Sequence, residues 1–215
     1  MGRRALRKAA AGLDLGRYLR KLEELPLPWS GEALFGRAAP LEVEVGSGKG
    51  LFLMSAAAAT PERDFVGIEF AGKYARFAAT RLFKRGLTNA CVVEGDGLRL
   101  FRERLPDASV TAVHVYFPDP WWKARHKKRR VMTAAFLRDV ERTLIEGGRL
   151  HFWTDVQEYF ATTLDLVREA THLAGPFDVP ERAPEHELDF RTNFERRTRL
   201  AGEPVYRAEF QKGSG

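Results

Sequence analysis

A single carboxylate lies between two prolines near the middle of the chain. Asp119 stands in the sequence Phe-Pro-Asp-Pro-Trp-Trp, and six lysines and arginines follow within residues 123–130. A carboxylate can accept hydrogen bonds from a nucleobase edge, aromatic rings can stack on its face, and basic side chains can bind the neighbouring phosphates. A solvated charge run beside a Pro-Asp-Pro turn would have the same composition. The segment is therefore either a nucleic-acid site or an exposed turn.

The residues before this segment favour a nucleic-acid site over an exposed turn. Residues 110–115 form a short apolar run that predicts a buried strand. Asp119 would then lie at the carboxyl end of that strand, where open α/β sheets bind their ligands.

Three further acids follow predicted strands in the first half of the chain. Glu44 precedes a turn with Gly46 and Gly48, Glu69 ends the second strand, and Asp96 follows the third. The glycines allow a tight turn and a close backbone approach to a nucleotide-like cofactor. Because carboxylates repel phosphates, this set favours a ligand with ribose hydroxyls, an adenine amino group and a positive charge. S-adenosylmethionine fits that description.

Two other interpretations of the acids stay open. A dinucleotide such as NAD would bind a similar turn, although the third glycine of the G-x-G-x-x-G spacing is missing and Glu44 would face a phosphate. Each acid could also simply cap a helix or lie in a solvated loop.

Alternating short β-rich and longer helical segments predict a doubly wound α/β fold with a mostly parallel sheet. The predicted strands cover residues 41–45, 65–68, 90–93, 110–115 and 150–153, and the predicted helices cover 51–59, 73–84, 133–145 and 157–173. Near the end, residues 194–200 and 205–210 are predicted to form a closing antiparallel pair.

Size and charge favour one domain with a polyanionic partner. The 215 residues suit a single core, and the formal charge is +6. We predict a basic N-terminal arm over residues 1–25 and one domain over 26–215. No apolar run is long enough to span a bilayer and no secretory signal follows the basic start, so we expect a cytoplasmic protein without membrane contact. Five dispersed histidines and one cysteine offer no metal-ligand spacing, so no metal is expected.

Several motifs occur together from about residue 29 to 195. They are Glu44-x-Gly-x-Gly-x-Gly, Gly-Ile-Glu69, Phe-Pro-Asp119-Pro-Trp, the spacing Lys-x-Arg-His-x-Lys-Arg-Arg over 123–130, Thr154-Asp155, and Thr192-x-Phe-Glu195. Together they resemble the bacterial tRNA (guanine-N7)-methyltransferases, and the resemblance implies a class I methyltransferase fold with a seven-stranded sheet and an antiparallel C-terminal strand. It also implies methyl transfer from S-adenosylmethionine to N7 of a guanosine in the variable loop of tRNA.

The resemblance further implies roles for individual residues. Asp119 would be catalytic. The cofactor-binding residues would be Glu44, Gly46, Gly48, Glu69, Asp96 and Asp119. The substrate-binding residues would be Lys123, Asp155, Thr192, Asn193, Phe194 and Glu195. The residues on the RNA backbone would be Arg125, His126, Lys127, Lys128, Arg129 and Arg130.

The chemistry of methylation at guanine N7 is consistent with these residue roles, independently of the resemblance. Guanine N7 carries an in-plane lone pair and no proton, so its methylation needs no general base and depends on placement and charge stabilisation. Asp119, Asp155 and Glu195 are each candidates for reading the guanine edge. The alternatives are an amino-group methyltransferase acting on adenine N6 or guanine N2, and a non-catalytic RNA-binding module. No obligate protein partner is expected, and either a monomer or a homodimer is compatible with the sequence.

Overall fold

The computed structural model describes residues 12–27, 29–121, 130–180 and 190–213. Within these residues eight strands form one sheet in the order β1-β4-β3-β2-β5-β6-β8-β7. Neighbouring strands are parallel from β1 to β6, and β8 is antiparallel to β6 and β7. The strands are β1 (Leu19–Lys21), β2 (Leu41–Val45), β3 (Asp64–Glu69), β4 (Ala90–Glu94), β5 (Val110–Tyr116), β6 (Leu144–Thr154), β7 (Ala174–Phe177) and β8 (Tyr206–Gln211). The predicted α/β class and antiparallel C-terminal strand are confirmed.

Helices cover both faces of the sheet, and its central strands are therefore buried on both sides. Helices α2 and α3 pack on one face, and α4, α5 and α6 pack on the other. The helices of the described residues are α1 (Gly31–Phe35), α2 (Leu51–Ala59), α3 (Gly72–Arg85), α4 (Gly97–Arg99), α5 (Ala134–Thr143), α6 (Gln157–Ala170) and α7 (Asn193–Leu200). A π-helical turn over Leu100–Arg104 continues α4. Helix α3 ends at Gly86, which adopts a left-handed conformation.

The sheet has one strand more than the seven predicted. Neither β7 nor β1 was predicted, and the predicted strand at 194–200 is absent from the described sheet. Strand β1 pairs with β4 at the edge of the sheet and lies within residues 1–25. It has only three residues, two of them exposed and basic, so its composition carries no strand pattern. The apolar residues around it, Leu15, Tyr18 and Leu22, are buried against the fold.

The C-terminal part differs from the predicted antiparallel pair. Residues 194–200 were expected to be a strand, but Asn193–Leu200 forms helix α7. The Thr192 hydroxyl accepts a hydrogen bond from the Glu195 N–H at 2.9 Å, and the Glu195 carboxylate accepts one from the Arg191 N–H at 2.6 Å. This reciprocal capping starts a helix. The partners of β8 are therefore β6 and β7.

The end of α5 also differs from the prediction. The helix ends at Thr143 and β6 begins at once with Leu144, before Gly147 and Gly148. Leu144 is fully buried and pairs with Val110, which draws the chain onto the sheet early. Gly147 lies inside the strand with a φ of +73°.

A row of polar side chains crosses the sheet beneath the α2 face. Glu42 accepts hydrogen bonds from Arg63 at 2.6 Å and from Nε2 of His114 at 2.8 Å, while Nδ1 of His114 lies 2.9 Å from the Tyr116 hydroxyl. Burial lowers the pKa of His114 to about 4, although the hydrogen bond to Glu42 opposes this shift. The neutral imidazole therefore donates to Glu42 and accepts from Tyr116.

This histidine should make the protein acid-sensitive. The unfolded chain binds a proton at His114 below pH 6.5, whereas the folded protein does so only near pH 4, so stability is lost as the pH falls through that window. We expect the His114 contribution to be about 3 kcal/mol across the window. It is measured as the change in free energy of unfolding between the two pH values, wild type minus His114→Gln.

The matched control is His172→Gln, because the side chain of His172 is 99% exposed. The control should keep the wild-type pH dependence. An unchanged pH dependence in His114→Gln would contradict the assignment.

Candidate cofactor and substrate site

The described strands converge on one crevice at their carboxyl ends. Strand β2 is paired with β3 on one side and with β5 on the other, so the connections leave the sheet in opposite directions between β2 and β5. This reversal of strand order is where open α/β sheets bind ligands. It brings Glu44, Glu69, Asp96 and Asp119 to the same edge of the sheet.

The glycine-rich turn after β2 forms the floor of this crevice. Gly46, Gly48 and Gly50 all have a positive φ, between 53° and 78°. A side chain at Gly46 would meet nothing within 4 Å, whereas a Cβ at Gly50 would lie 2.7 Å from Cβ of Ala78. Gly50 therefore allows α3 to pack closely, and Gly46 and Gly48 shape an open backbone surface.

Glu44 faces this turn as a buried acid. It is 2% exposed, and among the described residues its Oε2 atom has no hydrogen-bond partner. Burial raises the pKa of Glu44 well above its usual value, and the charge of Glu69 raises it further. The Ser47 hydroxyl beside it is also buried and, within the same described part, lacks a partner. Since buried polar atoms are nearly always paired, these two atoms are available to accept hydrogen bonds from a bound ligand.

Glu69 and Asp96 have backbone partners in addition to their place at the edge. The two oxygens of Glu69 accept hydrogen bonds from the N–H groups of Gly48 and Ala71, both at 2.9 Å. Asp96 caps α4 by accepting a hydrogen bond from Leu98 N–H at 2.9 Å. The capping interpretation is thus correct for Asp96. Because a carboxylate has about four acceptor positions, both acids can still bind a ligand's hydroxyl or amino groups.

An exposed aromatic ring completes this side of the crevice. Phe70 follows Glu69 directly, and 81% of it is exposed. A large apolar ring left in solvent beside an acid is suited to the flat face of a base. Phe70 was not among the residues predicted from the sequence, although its place directly after the acid that ends a strand was an available signal.

Asp119 lies in a loop with unusual backbone geometry. Its side chain is exposed, and the loop begins where the Phe117 N–H donates to the Trp153 carbonyl at 2.8 Å. Phe117 and Trp121 have φ values of +50° and +44°, a region that non-glycine residues rarely adopt. Residues on both sides of Asp119 thus turn the loop so that the carboxylate is accessible.

Helix α7 reaches this loop through its first turn. The ring of Phe194 lies 5.2 Å from the ring of Phe117. Thr192 is the capping residue, and Asn193 is exposed. Glu195 is only 2% exposed, and besides the Arg191 N–H its carboxylate contacts guanidinium nitrogens of two arginines. These are Arg199 at 3.4 Å and Arg207 at 3.6 Å.

Of the remaining residues predicted to bind substrate or RNA, two lie in the described part of the structure, Asp155 and Arg130. Asp155 is partly buried directly after β6, at the same edge of the sheet as the acids. Arg130 donates to the Pro120 carbonyl at 2.7 Å and lies over the ring of Tyr159 at 4.6 Å. The rest lie outside the described residues: Lys123, Arg125, His126, Lys127, Lys128 and Arg129.

The described part of the chain has neither a membrane-spanning helix nor a cluster of potential metal ligands. No helix there is long and apolar enough to cross a membrane. The same residues contain no group of three or more histidine, cysteine, aspartate or glutamate side chains arranged to hold a metal ion.

Known proteins resemble this chain in both sequence and fold. The "Putative methyltransferase" family model matches residues 38–208. The tRNA (guanine-N(7)-)-methyltransferase of Rhodopirellula baltica is 49% identical over 220 residues, which cover all of this chain and 81% of that protein. The protein of the same name from Sodalis glossinidius is 38% identical, covering 84% of this chain and 75% of its own.

Among solved structures, the 16S rRNA methyltransferase KamB superposes with a TM-score of 0.63 at 17% identity, over 85% of this chain and 92% of KamB. At that identity the likeness supports the fold alone. The sequence matches support the family as well as the fold, because they extend over the acids of the crevice, the Asp119 loop and helix α7. The chain belongs to the tRNA (guanine-N(7)-)-methyltransferase family.

Proposed function

We propose that this protein transfers a methyl group from S-adenosylmethionine to N7 of a guanosine in the variable loop of tRNA. The observation that carries the proposal is the buried Oε2 of Glu44, which has no hydrogen-bond partner among the described residues and lies next in the chain to an open glycine turn. A dinucleotide would place its phosphates against this acid, whereas a cationic nucleoside would supply the missing partner. The names of the sequence relatives support the same reaction and the same substrate.

The crevice offers a position for each part of the cofactor. Glu44 and the turn at Gly46 and Gly48 suit the charged amino-acid portion, Glu69 suits the ribose hydroxyls, and Asp96 with Phe70 suits the adenine. When bound, S-adenosylmethionine supplies a methyl group activated by a sulfonium charge. Glu44 lowers the energy of the bound cation most strongly, because burial shields this carboxylate from the water that would screen its charge.

Catalysis at guanine N7 depends on Asp119 and on placement. N7 has a free lone pair and loses no proton, so no base is needed, and a positive charge develops on the purine ring. Asp119 stabilises that charge electrostatically. Asp155 lies at the same edge and is the better candidate to accept the guanine N1–H and amino group, because the Glu195 carboxylate is already paired with arginines. Lys123 and the first turn of α7 position the nucleotide.

The tRNA backbone binds the basic residues that flank this loop. The net charge of +6 favours a polyanion in general, and residues 123–130 concentrate it next to Asp119. We place the protein in the cytoplasm, where its substrate is found, as a monomer or a homodimer.

The test is methyl transfer from labelled S-adenosylmethionine to unmodified tRNA, followed by nucleoside analysis. We expect label in N7-methylguanosine, with strand cleavage after borohydride and aniline treatment. Label in N6-methyladenosine or N2-methylguanosine would instead support an amino-group methyltransferase. Tight tRNA binding without any transfer would support a non-catalytic RNA-binding module.

The phosphate contacts lead to a prediction on salt dependence. Log-log plots of tRNA affinity against salt should be steep, and Lys127→Gln with Lys128→Gln should lower the slope by about 1.5, since each lost contact removes about 0.7 to 0.9. The measurement is a filter-binding titration at several salt concentrations.

The matched control removes Lys84 and Arg85, which are exposed at the C-terminal end of α3. That helix runs against its strand, so its end lies at the opposite edge of the sheet. This control should keep the wild-type slope. Equal slopes for all three proteins would place the RNA elsewhere.

A further inference from the structure

Arg130, the last residue of the basic run, contacts the loop that presents Asp119. Its Nε atom donates a hydrogen bond to the carbonyl of Pro120, the residue directly after Asp119, at 2.7 Å. This short contact joins two positions ten residues apart, one on each side of residues 122–129. The guanidinium that the sequence assigned to a phosphate therefore holds the backbone of the proposed catalytic loop.

The loop needs such a restraint because its backbone is unfavourable in isolation. Phe117 and Trp121 both have positive φ values, and neither is a glycine. Residues in this region persist only where the surrounding structure holds them. The Phe117 end is held by a hydrogen bond to the Trp153 carbonyl and by the ring of Phe194. At the other end, Arg130 holds Pro120.

Helix α6 fixes the position of Arg130 itself. The guanidinium carbon lies 4.6 Å from the ring centre of Tyr159, which is 1% exposed. The Tyr159 hydroxyl accepts a hydrogen bond from the Met132 N–H at 3.3 Å, which orients the ring relative to the chain just after Arg130. A planar guanidinium can stack on the ring and donate at its edge at the same time, which a lysine ammonium cannot do in the same geometry.

We propose that Arg130 is a positioning residue, which with the Tyr159 ring holds the Pro118–Asp119–Pro120 loop so that the Asp119 carboxylate faces the reacting base. This inference rests on the proposed catalytic role of Asp119. Arg130 acts through the backbone and touches neither cofactor nor guanine. A shift of about 1 Å in a reacting group can lower a rate about 100-fold, so the effect is expected on turnover.

Substitution by lysine separates this role from a phosphate contact. Arg130→Lys keeps the positive charge and should leave the KM for tRNA and the salt slope of binding unchanged. If Arg130 positions the loop, kcat falls about 10- to 100-fold. If Arg130 only binds a phosphate, kcat stays at the wild-type value, and that result would overturn the proposal.

Three additional variants keep the test interpretable. Tyr159→Leu removes the ring on α6 and should also lower kcat, and the double variant with Arg130→Lys should lose less than the product of the two single effects. Full multiplicative loss would mean that the two side chains act independently. Arg138→Lys, an exposed arginine on α5, is the matched control and should turn over like the wild type. Thermal melts of each variant identify any that do not fold, and circular dichroism of Arg130→Lys should match the wild type.

Failure of this inference differs from failure of the Asp119 assignment. If Asp119→Asn is fully active, the catalytic assignment is wrong whatever Arg130 does. If Asp119→Asn is inactive while Arg130→Lys keeps its kcat, only the positioning role is wrong.

Discussion

Replacing Asp119 by asparagine is expected to lower kcat for tRNA methylation by about 100- to 1,000-fold, the range observed when one preorganised electrostatic group is removed. Asparagine has the same shape and remains compatible with the loop, so the loss isolates the negative charge. The affinity for tRNA should change little, because phosphate contacts dominate it. Single-turnover methyl transfer with saturating cofactor, wild type beside variant, measures the effect directly.

The control for this prediction is a carboxylate of the same kind away from the crevice. Asp165 is exposed on α6 and pairs with Arg168 at 2.7 Å. Asp165→Asn should therefore react at the wild-type rate. A wild-type rate in Asp119→Asn as well would remove Asp119 from the mechanism and leave placement of the base as the sole source of catalysis.

Glu44→Gln is expected to affect stability and cofactor affinity in opposite directions. The pKa of Glu44 is raised above its unfolded value by burial and by Glu69. Its contribution to stability is therefore fully present only below the unfolded pKa and is lost as the pH rises through the folded pKa. Glutamine carries no such penalty, so the free variant should melt at a higher temperature at neutral pH. Its affinity for S-adenosylmethionine should be about 10-fold or more weaker, since a hydrogen bond to a charged group is lost.

The same residue should make cofactor binding depend on pH. A cationic ligand stabilises the ionised carboxylate, so binding releases a proton from the fraction of protein in which Glu44 is protonated. The affinity therefore rises with pH in the wild type and should be flatter in Glu44→Gln. Calorimetric titrations in buffers of different ionisation enthalpy measure the released proton.

Glu62→Gln provides the comparison, because the side chain of Glu62 is 67% exposed. It should bind the cofactor with the wild-type affinity and pH dependence. A variant Glu44→Gln that bound the cofactor normally would mean that another group neutralises the ligand's charge.

Local pattern was sufficient for most of the sheet. The strand from Val110 to Tyr116 is rich in valine and other apolar residues, and the strand from Leu41 to Val45 alternates apolar residues with glutamates. Both patterns predict strands where they lie between helical segments. The misassigned elements had weaker or conflicting patterns. Strand β1 is too short and too basic to be recognised. Residues 194–200 were predicted to be a strand, although the spacing of Thr192 and Glu195 is that of a helix cap.

The position of the acids at the strand ends could also be predicted from the local sequence. Glu69 and Asp96 lie immediately after or at the end of predicted strands, and in a parallel sheet all strand ends of one kind meet at one edge. The sequence by itself therefore determined that a carboxylate-lined crevice exists, and it placed the Asp119 loop beside that crevice.

Only the tertiary structure decided what surrounds each of these groups. The burial of Glu44, the two arginines on Glu195 and the Tyr159 ring beneath Arg130 all involve segments distant in sequence. Desolvation and pairing depend on such neighbours, and they control whether a charge is active, neutral or structural. A residue's type and spacing thus predicted the chemistry available at this site, while packing determined that Glu195 is paired with arginines and that Arg130 contacts the Asp119 loop.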